Sequence, residues 1–179
     1  MKVSLFKLAL FTSLVAACPV IARATLPQNE FSLNVTVITS EHSRDSNSVT
    51  TNLRVSGDTL VYEETYHGAN ANRHQPLKKE YKLTNDDRDR LIGVLKDKAL
   101  LTTRTISKSS EQRGLSRDFE LSIASKLAGK EGVISINAPR TEIKLKTDPL
   151  YQASVFLVGE LYRIINRTDP DITFSDLID

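Results

Sequence analysis

One cysteine, one methionine and no tryptophan occur among the 179 residues. A single cysteine, Cys18, excludes an internal disulfide framework and any cysteine-based zinc cluster. Glycine and proline are sparse, with 7 and 6 residues, which argues against a fibrous or low-complexity chain. No apolar run approaches the roughly 20 residues that a bilayer-spanning helix needs. The nucleophile elbow G-x-S-x-G is absent, and so is any Ser-Lys signature. Gly129-Lys130-Glu131-Gly132 holds two glycines and a lysine but lacks the spacing and the following Ser/Thr of a phosphate loop. It reads as a hairpin turn.

What is present begins with the N-terminus. Lys2 and Lys7 precede an apolar stretch, Leu8–Cys18, and Ala22-Arg23-Ala24 follows. A basic start, a short apolar core and a small-x-small end make the pattern of a secretory signal peptide. Pro19 breaks the apolar helix ahead of the cut. Residues 1–24 are therefore expected to be removed, with Ala22 and Ala24 marking the cleavage site. The shortness of the basic start points to a bacterial source. The alternative is a cut before Cys18, because Val15-Ala16-Ala17-Cys18 is similar to a lipoprotein lipobox, which would lipidate the cysteine. Pro19-Val20-Ile21 after it is unlike the polar start of such proteins.

Cleavage changes the charge balance. The signal segment holds Lys2, Lys7 and Arg23 and no acid, so its loss turns the formal net charge from +2 to −1. A nearly neutral remainder gives no electrostatic basis for nucleic-acid binding. It also carries no thiol. Residues 25–179 have the size of a single exported domain.

Period-two alternation marks the strands. Phe31, Leu33, Val35 and Val37 alternate with polar residues. Val49, Thr51, Leu53 and Val55 run into Gly57-Asp58, and Leu60 and Tyr62 continue beyond it. A two-residue turn with glycine first pairs Val55 with Leu60 and Leu53 with Tyr62, all on one face. Leu77, Tyr81 and Leu83 share one side of a fourth strand. Thr84, with Asp87 three residues on, predicts a capped helix that buries Leu91, Val94 and Leu95. Thr102–Arg113 reads as a polar linker. Further strands are expected at Phe119–Ile123, Val133–Ala138 and residues 141–146. Asp148-Pro149 opens a last helix with two apolar stripes, a broad buried face. The order β-β-β-β-α-β-β-β-α, without regular β-α alternation, predicts an α+β fold. Its antiparallel sheet has six to seven strands, with two helices packed on one face.

Chemistry is thin. Glu63 and Glu64 are strand neighbours, so they face opposite ways and cannot act as a glycosidase pair. Asp86, Asp87 and Asp89 sit at a helix start, where the macrodipole accounts for them. Glu64-x-x-His67 falls at a strand end and gives no metal-ligand set, so no metal and no cofactor is expected. The remaining constellation is Tyr62, Tyr66, His67, Asn70, Asn72, Arg73 and His74, around the polar loop His67–Pro76. Tyrosines beside a long loop offer apolar area with polar tips. These residues are the expected ligand-binding surface. The expected function is a small exported, non-catalytic binding or envelope-associated domain with an unidentified protein or envelope partner and no transmembrane span. The alternatives are an envelope component anchored through Cys18, or a small hydrolase whose site is dispersed in the sequence.

Overall fold

The computed structural model describes residues 31–41, 47–68, 71–97, 100–107, 117–139 and 147–173. The expected signal segment, with Cys18, Ala22 and Ala24, lies outside the described residues, as do Asn70 and the strand expected at 141–146.

Seven strands and two helices make an α+β fold. The elements are β1 (Phe31–Glu41), β2 (Asn47–Ser56), β3 (Thr59–His67), β4 (Leu77–Lys82), α1 (Asn85–Asp97), β5 (Thr103–Ser107), β6 (Arg117–Leu127), β7 (Lys130–Pro139) and α2 (Pro149–Ile165). One sheet has the order β4-β3-β2-β1-β6-β7-β5. Every pairing is antiparallel except β5 with β7, which is parallel.

The hairpin at Gly57-Asp58 forms in the register expected from its hydrophobic pattern, Val55 opposite Leu60 and Leu53 opposite Tyr62. Gly57 has φ +62°, the left-handed conformation that such a turn requires. The β6–β7 hairpin closes through Ala128 and Gly129, both at positive φ.

β5 is the departure from expectation. Thr103–Ser107 lies within the stretch read as a linker. Its sequence, TRTIS, contributes one buried apolar side chain, Ile106. Pairing with the β7 backbone makes it a strand, and backbone pairing leaves no hydrophobic pattern to read. Both sheet edges, β4 and β5, are short, and β4 carries Lys78, Lys79 and Lys82, features that discourage edge-to-edge association.

Side chains at alternate strand positions build one core. Leu33, Val35, Leu53, Val55, Leu60, Ile123 and Ile134 are fully buried, and they form one cluster with Leu91, Leu95, Leu157 and Leu161 of the helices. Both helices therefore cover the same face. Each fully buried Leu or Ile contributes about 1.5–3 kcal/mol by leaving water. α2 buries eleven of its 17 residues, which its two stripes anticipate.

Each helix begins on a side-chain cap. At α1, the Asp87 N–H donates to Thr84 Oγ1 at 3.2 Å, and the Thr84 N–H donates back to Asp87 Oδ2 at 3.0 Å. This is a reciprocal capping box. At α2, Asp148 Oδ1 accepts from the N–H groups of Leu150 and Tyr151 at 2.8 and 3.3 Å. Asp148→Ala is expected to cost about 1 kcal/mol, the usual worth of such a cap. Urea unfolding of wild type and variant at pH 7 checks it.

The helices are tied by charge as well. Asp87, 3% exposed, accepts from Arg167 at 2.6 Å and Arg163 at 3.2 Å. Glu160 of α2 takes Arg163 at 2.9 Å and Arg90 of α1 at 2.5 Å.

Candidate functional site

Tyr62, Glu64 and Tyr66 alternate along β3 and so project to the helix-covered face. Glu64 lies opposite Thr51 of β2 on one side and Leu77 of β4 on the other. β4 pairs with β3 only as far as Glu64, so Thr65–His67 extend past the fourth strand. The chain turns at Gly68, with φ +83° and an Ala71 N–H bond to the Gly68 carbonyl at 3.1 Å. The returning loop lays the His74 ring on Tyr66, with centroids 4.4 Å apart and planes 18° off parallel.

The centre of this cluster is the Glu64 carboxylate. Tyr62 Oη donates to one of its oxygens and Tyr66 Oη to the other. Glu64 itself is partly buried. Tyr62 is buried and meets Tyr162 of α2 edge-on, with centroids 6.3 Å apart. Burial, and then the hydrogen bond to Glu64, push the Tyr62 phenol well above the ordinary tyrosine range. It therefore stays a protonated donor at physiological pH.

The edge strand β4 is tied to the residues that follow α2. Asp169, beyond the end of α2, accepts from Lys79 at 2.5 Å and from Tyr81 Oη at 2.8 Å. The bonds from Lys79 and Tyr81 hold the Asp169 carboxyl below the usual carboxylate range. Lys79 is the cross-strand neighbour of Tyr62, and its charge is spent on Asp169.

Of the seven residues expected to form a ligand surface, the structure brings together Tyr62, Tyr66 and His74. His67 is exposed at the end of β3, at an alternate position that faces the opposite side of the sheet. Asn72 and Arg73 are exposed in the turn. Glu64 completes the cluster, and its signal was legible: Tyr62, Glu64 and Tyr66 share the period-two face. Its sequence neighbours Glu63 and His67 sit out of phase with it on β3 and project to the opposite face.

Among the described residues no three His, Cys, Asp or Glu side chains group to hold a metal ion. A concavity of about 440 Å³ opens on the outer face of the sheet, where Ser32, Asn34 and Ala124 leave a dip between Arg54 and Lys126. Lys126 is neutralised there by Glu131 at 2.8 Å, and the dip is walled by exposed side-chain ends. No known protein-family model matches the chain, and no curated protein is significantly similar to it in sequence.

Proposed function

We propose that the chain is a small exported, non-catalytic binding domain. Its recognition surface is formed by Glu64, Tyr66 and His74 over the buried Tyr62, where the loop after β3 folds back on the sheet. The convergence of two tyrosine hydroxyls on one partly buried carboxylate, beside a stacked aromatic pair, carries the reading. A carboxylate oriented by fixed donors is a preorganised polar group, and tyrosine supplies contact area at low entropic cost. Asn72 and Arg73, exposed in the turn of the same loop, are its polar rim.

Export rests on the basic, short apolar N-terminal segment ending in Ala22-Arg23-Ala24. Among the described residues no helix is long and apolar enough to cross a membrane. Val15-Ala16-Ala17-Cys18 favours a second reading, in which lipidated Cys18 holds the same domain at the envelope. Intact mass of the protein from fractionated bacterial cells separates them. The expected result is a soluble species beginning at Thr25. A membrane-bound species beginning at a diacylated Cys18 establishes the anchored form, and a cytoplasmic chain that retains residues 1–24 refutes export.

A further inference from the structure

The carboxylates at the helix junctions and along the covered face follow one rule. Asp87 has Arg163 and Arg167, Glu160 has Arg90 and Arg163, Asp169 has Lys79, and Asp148 has Arg104 at 3.7 Å. Glu64 departs from it. Its only partners among the described residues are the hydroxyls of Tyr62 and Tyr66, and no Lys, Arg or His nitrogen of those residues comes within 4 Å of it. The nearest basic side chain in register, Lys79, is committed to Asp169. Phenol hydroxyls orient a carboxylate and satisfy part of its hydrogen-bonding capacity, but they do not neutralise its charge. Each oxygen keeps acceptor capacity beyond its tyrosine. Beside it Tyr66 and His74 stack, and aromatic faces attract cations.

We infer that Glu64 is the anion of a recognition site for a primary alkylammonium group, of the kind carried by an amine or a lysine side chain. This rests on the binding reading above and names the ligand class of that surface. A single carboxylate supplies too few oxygens for a divalent metal ion. It does match one ammonium, whose N–H donors meet the remaining lone pairs of Glu64. The alkyl stem would run past Leu77 and the Tyr66–His74 pair, which are half-buried or exposed at the mouth of the cluster.

Three probes of equal length and different charge test this: butylammonium, butyramide and butyrate, each titrated at constant ionic strength. The readout is the His74 ring proton, resolved in a chain with three histidines. Butylammonium is expected to shift it saturably, while butyrate leaves it unmoved and butyramide binds at least about tenfold more weakly. Glu64→Gln, which keeps an acceptor for one tyrosine and nearly the same shape, is expected to weaken butylammonium about tenfold or more. Thermal unfolding confirms that this variant is folded. Saturable binding of butyramide or butyrate without a preference for butylammonium overturns the ammonium assignment and leaves the binding surface standing. Butylammonium binding that survives Glu64→Gln also overturns it. Silence from all three probes at tens of millimolar refutes both.

Discussion

Replacing Asp87 with alanine is expected to remove about 3 kcal/mol of stability at pH 7, the largest loss from any single polar side chain described here. Two effects combine. Asp87 closes the capping box with Thr84, worth about 1 kcal/mol, and it is the buried anion between Arg163 and Arg167. Burial alone would push its carboxyl upward; the Thr84 bonds and the two guanidinium groups outweigh that and bring it from 3.8 down to about 2. A carboxyl depressed on folding stabilises the native state above its unfolded value. That contribution, about 2 kcal/mol, is lost as the pH falls from about 4 through 2. Asp87→Asn retains an oxygen for the Thr84 N–H and should lose about two thirds as much as the alanine variant, the share of the charge. The gap between wild type and Asp87→Asn should then shrink between pH 5 and pH 2. Urea unfolding across this range is the check, and a gap independent of pH contradicts the role given to the charge.

Gly132→Ala is expected to cost about 2 kcal/mol, or about 6 °C in melting temperature for a domain of this size. A methyl group at Gly132 would stand 2.6 Å from the Thr102 backbone nitrogen and 2.8 Å from the Leu100 carbonyl oxygen. These are backbone atoms of the segment that leads from α1 to β5, where Leu100 is fully buried and its carbonyl accepts from Ser125 Oγ at 3.3 Å. A side-chain end can swing away; this segment moves only by pulling Leu100 out of the core. Gly93 supplies the control of opposite sign. It lies inside α1, with nothing within 4 Å of its would-be methyl group, so Gly93→Ala should stabilise the protein by about 0.5–1 kcal/mol. Equal melting temperatures for Gly132→Ala and wild type would show that the crossing segment yields freely.

Much of the fold is legible because local chemistry and burial agree. The Gly57-Asp58 turn, the Thr84–Asp87 box and the Asp148-Pro149 helix start each predict the geometry found. β5 escapes because four of its five side chains are polar and exposed, and its pairing with β7 is a matter of backbone position alone. The Gly132 contact is hidden for a similar reason: a glycine beside a turn reads as turn chemistry, while its demand comes from a segment thirty residues earlier. Half of the candidate site was visible in the sequence. Tyr62 and Tyr66 stood out as aromatics beside a loop, whereas the stacking of His74 depends on how that loop folds back. The isolation of Glu64 shows only once Lys79 is seen paired with Asp169, which lies 90 residues away.

The most direct test of the Glu64 site is an amide chemical-shift map of the whole protein with butylammonium. Saturable shifts are expected, centred on Thr51, Glu64, Tyr66, His74 and Leu77. Shifts centred instead on the outer-face dip around Asn34, Arg54 and Lys126, or no saturable shift at all, would contradict it.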